Sequence, residues 1–116
     1  MPAPLAERHC EVCRPGMPTL SRPEAQALLA ELAGWTVEEA DGHLQLRKRV
    51  TFKGFLPGVE LINLIAPIAE AEGHHPDLTL RYGSLDVTLW THVAGGLTAN
   101  DFILAAKVDR AVPSTF

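Results

Sequence analysis

The sequence predicts an α+β fold: a four-stranded antiparallel sheet with three helices packed on one face, in the order α-β-β-α-β-β-α. Three observations predict it. Two tight-turn dipeptides, Asp41-Gly42 and Gly83-Ser84, each separate two segments of alternating apolar and polar residues, as antiparallel hairpins require. Between the hairpins, from Phe55 to Glu72, apolar residues recur with the helical period instead. One hairpin face is wholly apolar, and helices are the elements available to cover it.

The elements follow in chain order. Residues 1–20 read as an extended N-terminal arm, and residues 21–116 as a single domain. Ser21 reads as an N-cap, with Pro23 in the first turn and Glu24 at the capping-box position. Leu28, Leu29 and Leu32 supply a short apolar stripe, and Gly34 is expected to close this helix. Trp35-Thr36-Val37-Glu38 is the first strand candidate, turning at Asp41-Gly42. The returning strand alternates at Leu44, Leu46, Val50 and Phe52, with Lys48 breaking the series.

In the second helix Val59, Ile62, Leu64, Ile65, Ile68 and Ala69 form one broad apolar face. Pro57 suits its first turn. Pro67 removes an interior hydrogen bond and should kink the helix, at about 3 kcal/mol if unrelieved. Gly73 ends it. With Gly83-Ser84 as the turn, residue 82 pairs with 85, 80 with 87 and 78 with 89. Leu78, Leu80, Tyr82, Leu85, Val87 and Leu89 then share one face. Gly95 and Gly96 make a bend, Thr98 caps the last helix with Asp101 three residues on, and Phe102, Ile103, Ala106 and Val108 give its buried stripe. The other sheet face carries Thr79, Arg81, Asp86, Thr88 and Trp90. So small a sheet with an open face or edge favours a homo-oligomer, a dimer or tetramer.

The chain has 116 residues, 47% hydrophobic and 21% charged, which suits one globular domain with a single core. Its net charge of −4 argues against nucleic-acid binding. No apolar run is long enough to span a bilayer, and the N-terminus lacks the apolar core of a secretory signal. A cytoplasmic protein with neither membrane nor nucleic-acid partners is expected. Cys10 and Cys13 form a lone Cys-x-x-Cys beside His9. A structural zinc site wants four ligands and no second pair follows; a redox motif wants a βαβ context that this Pro- and Gly-rich stretch lacks. The thiols are read as reduced, in a loosely ordered arm, with a metal bridging two chains as the alternative.

Chemistry concentrates in Glu70-Ala71-Glu72-Gly73-His74-His75-Pro76 and in Thr91-His92. Histidine titrates near 6.5, so three of them together suggest a metal site or a proton-transfer site. Extending the hairpin register places His75 opposite His92, with Cβ atoms about 5 Å apart. His74 points the other way or lies in the turn out of the helix, and Glu70 lies one helical turn before it. Adjacent histidines converge poorly on a metal, and no His-x-x-x-His completes a site. No Ser or Cys forms a nucleophile elbow. A purely structural role suits one histidine better than three at this spacing. General acid–base chemistry on a polar heterocycle fits best, without a metal. Asp101 is as well placed to cap a helix as to serve the site. Trp35 reads as core. Trp90 reads as an oligomer contact before a stacking surface for a flat ligand, and His9 and His43 read as solvent-exposed.

Glu70-x-x-x-His74-His75-Pro76, Tyr82, His92 and Asp101, with the stretch Thr91 to Asp101, resemble the signature of the pterin-4a-carbinolamine dehydratases. The resemblance spans about residues 21–110. It implies the α+β sandwich reached above and an activity: dehydration of a 4a-hydroxytetrahydropterin, such as 4a-hydroxytetrahydrobiopterin, to the quinonoid dihydropterin. That reaction recycles the pterin used by aromatic amino acid hydroxylases, with no external cofactor or metal. By the same resemblance His74 and His92 form the acid/base pair, His75 binds and orients the pterin, and Glu70, Pro76 and Asp101 support binding. Pro67 and the cysteine-bearing arm depart from the family pattern. The family also implies a second reading, a non-catalytic protein-binding module, as a transcription-factor dimerisation partner or a Rubisco assembly factor.

Overall fold

The computed structural model describes residues 4–12 and 14–112; Cys13, one half of the Cys-x-x-Cys, lies outside the described residues. A short 3-10 turn (Leu5–Glu7) precedes α1 (Arg22–Leu29), β1 (Thr36–Ala40), β2 (His43–Thr51), α2 (Leu56–Glu72), β3 (Asp77–Arg81), β4 (Ser84–Leu89) and α3 (Ala99–Ala111). The strands form one antiparallel sheet in the order β1-β2-β4-β3, and the helices cover one of its faces. Leu46, Val50, Leu85, Val87 and Leu89 point from the sheet into a core completed by Leu61 and Ile65 of α2 and Phe102, Leu104 and Val108 of α3.

Local chemistry explains most boundaries. Ser21 and Glu24 form the reciprocal capping box of α1. Asp41 (φ 54°) and Gly42 (φ 83°) both take the left-handed conformation that a two-residue hairpin turn demands, pairing Ala40 with His43. Gly73, at φ 64°, closes α2. Lys48 keeps the inward alternation of β2 instead of breaking it. Its Nζ lies 2.8 Å from Asp109 Oδ1, and the indole N–H of buried Trp35 donates to the same carboxylate.

Five further expectations need correcting. First, α1 ends at Leu29, short of Gly34, which instead lies in the bend that follows it. Second, the buried stripe of α2 runs Gly58, Leu61, Ile65, Ala69, while Leu64 is exposed. The stripe is set by Gly58, where a Cβ would fall 2.3 Å from Leu80 Cδ1 and 2.6 Å from Phe52 Cζ, so the helix backbone sits directly on the sheet. Pro67 lies within α2 on its exposed side and does not end it.

Third, the second hairpin turns at Tyr82-Gly83, with Arg81 paired to Ser84, Leu80 to Leu85 and Leu78 to Val87. The register is two residues away from the expected one. A shift of two preserves which side chains face the core, so Leu78, Leu80, Leu85, Val87 and Leu89 keep their places and Tyr82 is left 80% exposed at the turn. Fourth, α3 buries Leu104 and Ala105 alongside the expected Phe102, Ile103 and Val108, while Ala106 is only half-buried; the 3-10 turn packs on this helix and Leu5 enters the core. Fifth, the arm is not loose: Leu5 and Met17 are buried, Lys107 Nζ donates to the Ala6 carbonyl, and the Leu20 N–H donates to the Leu97 carbonyl.

Candidate active site

Where α2 ends, two connections carry the histidines. The left-handed Gly73 turns the chain out of α2 so that His74-His75-Pro76 leads into β3. After β4, Trp90 to Thr98 bend back through Gly95 and Gly96, held by a bridge between Thr91 and Gly96, and enter α3. A cavity of about 360 Å³ lies between these connections, lined by Gly73, His74, His75, Pro76, Asp77, Trp90, Thr91, His92 and Val93. It is in the size range of small-molecule sites.

The three imidazoles meet different environments. His74 is buried, and its Nε2 lies 2.5 Å from Oδ1 of Asp101, which is fully buried. The other carboxylate oxygen, Oδ2, accepts from the Thr98 N–H (2.9 Å) and the Thr91 hydroxyl (3.0 Å), and the two threonine hydroxyls lie 2.8 Å apart. Asp101 therefore caps α3 with one oxygen and holds His74 with the other. Since a carboxylate only accepts, His74 carries its proton on Nε2 and, when neutral, leaves Nδ1 as the basic nitrogen. His75 is exposed and its Nε2 lies 2.7 Å from Oε1 of exposed Glu70. His92 is 56% exposed, with Nε2 3.8 Å from Asp77 Oδ2.

His75 and His92 line one cavity but are not cross-strand partners. The two-residue register change sets 75 opposite 90, and His92 projects from the outer end of the sheet. Glu70 approaches His75 rather than His74, and faces the neighbouring hollow between α2 and β3. Pro76 lines both hollows.

Sequence reasoning missed the surroundings of His92. Its ring stacks on Trp90, centroids 3.8 Å apart and planes at 19°, and His43 stacks beside Trp90 at 4.0 Å and 27°. His43 is therefore half-buried, not a free surface residue. Two rings sandwich the indole, so it offers no open face to a flat ligand. The register of β2 against β4, extended by three residues, sets 43 opposite 92; the sequence held that information once the β2–β4 pairing was known. Among the described residues no three His, Cys, Asp or Glu side chains cluster as metal ligands would.

Comparison with known proteins places the chain in a family. The model of the family "Pterin 4 alpha carbinolamine dehydratase" matches residues 18–111. The chain belongs to that family. A relative from Saccharophagus degradans, named "Putative pterin-4-alpha-carbinolamine dehydratase", is 42% identical over 106 residues, covering 91% of this chain and 94% of its own. The crystal structure of a transcriptional coactivator/pterin dehydratase from Brucella melitensis superposes with a TM-score of 0.72 at 30% identity, covering 83% of this chain and all of that one. This pterin-4a-carbinolamine dehydratase family member is thus a dehydratase by its sequence, on a fold it shares with the Brucella structure. No helix among its described residues is long and apolar enough to cross a membrane.

Proposed function

We propose that the cavity between the histidine connections dehydrates a 4a-hydroxytetrahydropterin to the quinonoid dihydropterin, by general acid–base catalysis and in the service of tetrahydrobiopterin recycling. The observation that carries this reading is the His74–Asp101 dyad on the cavity wall. A histidine fixed in one tautomer by a buried carboxylate is built to take a proton, because the carboxylate stabilises the imidazolium that forms.

The reaction removes one hydroxyl from C4a and one proton from N5. His92, at the open side of the cavity, gives a proton to the 4a-hydroxyl, the C4a–O bond breaks, and water leaves. His74 Nδ1 takes the N5 proton while Asp101 holds its Nε2–H. The two histidines then exchange protons with solvent and recover their starting states. His75, tethered by Glu70, orients the ring from the side, and Pro76 shapes the floor. No metal or external cofactor enters this scheme, and stoichiometric zinc in protein purified without added metal would contradict it. The protein acts as a homo-oligomer in the cytoplasm on this reading, with the pterin as its small-molecule partner.

The test is the rate of carbinolamine dehydration by purified protein, with His74→Ala and His92→Ala. The expected loss is about 10²–10⁴-fold for each. Wild-type protein no faster than buffer, or both variants equal to wild type, would defeat the enzymatic reading. A protein-binding role, suggested by the coactivator description of the Brucella relative, would use Asp101 as a helix cap but does not call for the His74 imidazole on the cavity wall.

A further inference from the structure

The N-terminal arm bonds to residues next to both halves of the dyad. Residues 9–11 run between the end of α2 and the start of α3, and they bind one residue on each. Glu72, the last residue of α2 and two before His74, has a side chain only 9% exposed. Its Oε1 accepts the Cys10 N–H at 2.7 Å and its Oε2 lies 3.0 Å from His9 Nδ1. Asn100, immediately before Asp101, is 3% exposed. Its Oδ1 accepts the Glu11 N–H at 2.9 Å and its Nδ2 donates to the Glu11 carbonyl at 2.8 Å. The arm is pinned on both sides of this contact, by Leu5 in the core and by the Leu20 to Leu97 hydrogen bond, so residues 9–11 are held at a fixed distance from both helices.

Two bridges thus join the same pair of helix ends. The inner one is the His74–Asp101 hydrogen bond. The outer one is Glu72 to Cys10 and Glu11 to Asn100, each anchor adjacent or nearly adjacent in sequence to one half of the dyad. We propose that Glu72 and Asn100 are positioning residues for the His74–Asp101 dyad, acting through the backbone of arm residues 10 and 11. The outer bridge sets the separation of the end of α2 from the start of α3, and so the length and direction of the inner one. Burial raises the Glu72 carboxyl, and the Cys10 N–H, His9 and Lys107 together outweigh that and lower it below the ordinary carboxylate range. Glu72 therefore meets the arm as an anion, the stronger acceptor. An apolar side chain of similar size would pack there as well but would not hold the arm.

The kinetic part of this inference rests on the dehydratase reading above; the spectroscopic part does not. Glu72→Leu and Asn100→Leu each cut one anchor, Glu72→Gln keeps the acceptor, and Glu11→Pro removes one donor at an exposed position without touching either helix. Three readouts are taken: kcat and KM for dehydration, the proton resonance of His74 Nε2–H in the buried dyad, and the thermal midpoint. Glu72→Leu, Asn100→Leu and Glu11→Pro should each lower kcat about tenfold, with KM within roughly twofold, as a small misplacement of a catalytic group does. The His74 proton should move upfield or broaden in the same variants, and Glu72→Gln should restore both readouts. Variants that lose thermal stability while kcat and the resonance stay at wild-type values would make the arm merely structural and overturn the proposal. If wild type does not dehydrate pterin carbinolamines, the function fails instead, and the resonance still decides this point. Should the leucine variants not fold, Glu11→Pro alone carries the same two outcomes.

Discussion

Asp101→Asn isolates what the buried carboxylate does. Asp101 is fully buried and accepts three hydrogen bonds, from His74 through Oδ1 and from Thr98 N–H and Thr91 Oγ1 through Oδ2. Asparagine has the same shape but only one acceptor oxygen. If that oxygen turns to His74, the amide NH₂ faces the Thr98 backbone N–H, leaving a buried donor unsatisfied at about 1–3 kcal/mol. Thr91 can rotate its hydroxyl to accept, but a backbone N–H cannot. The oxygen therefore stays with the threonines and the NH₂ points at His74 Nε2. His74 must then accept there, which moves its own proton to Nδ1 and removes the basic nitrogen the reaction needs. Folding loses little, because every partner is still bonded. Turnover loses both the tautomer and the charge, and a carboxylate-to-amide change behind a catalytic histidine costs up to about 10⁴-fold.

Stopped-flow dehydration assays give kcat, a thermal melt gives the stability cost, and long-range ¹H–¹⁵N correlation at the imidazole reads the tautomer. The expected result is a kcat lowered about 10²–10⁴-fold with KM nearly unchanged, a midpoint lowered by a few degrees, and His74 protonated on Nδ1. A kcat within roughly threefold of wild type, or a His74 still protonated on Nε2, refutes the reasoning.

Three further predictions concern other parts of the fold. Arg49, with Arg81, holds the Asp86 carboxyl at about 2 instead of its ordinary 3.8 against the cost of burial, so the stability it contributes is present above pH 3.8 and is lost as pH falls through about 2. The shift corresponds to at most about 2.4 kcal/mol, but the arginines are 61% and 54% exposed. Solvent screening leaves about 1 kcal/mol, so urea unfolding of Asp86→Asn should differ from wild type by that amount at pH 7 and converge with it near pH 2. Gly58→Ala drives a methyl into Leu80 and Phe52 and should cost about 1–3 kcal/mol in denaturant unfolding; a cost near zero would mean α2 does not sit on the sheet as described. Trp90→Ala frees one face of His92 and should lower kcat/KM roughly tenfold, with Trp90→Phe recovering most of it, and equal kinetics for Ala and wild type would remove the stack from the account.

Much of the fold is legible because its signals are local. The Ser21–Glu24 capping box, the Asp41-Gly42 turn and the Gly73 stop each need only a few consecutive residues to be recognised. What misled was ambiguity between neighbouring solutions. Tyr82-Gly83 and Gly83-Ser84 are both acceptable turns around one glycine, and the two registers present the same side chains to the core. Periodicity cannot separate them. Only Tyr82, carried from the core face to an exposed turn, registers the difference. In α2 and α3 the buried stripes depend on residues outside each helix's own periodicity: Phe52 and Leu80 against Gly58, and Leu5 against α3.

The site was legible as composition and less so as geometry, and Asp101 shows why. Thr98 followed by Asp101 is a helix-start pattern, and His74 with His92 is a proton-transfer pattern; one sequence position cannot announce that it belongs to both. In the structure the two roles use different oxygens of one carboxylate. The sharing has a physical consequence. A side chain that only oriented His74 would need its own rotamer locked by packing, whereas Asp101 is locked by the first turn of the helix it caps. The Thr98 N–H is backbone, so it cannot rotate away, and the Thr91 hydroxyl approaches the same oxygen from the connection that carries His92. The helix start thus serves as the jig for the dyad, and any change that frays the first turn of α3 should be felt at His74 before it is felt in global stability.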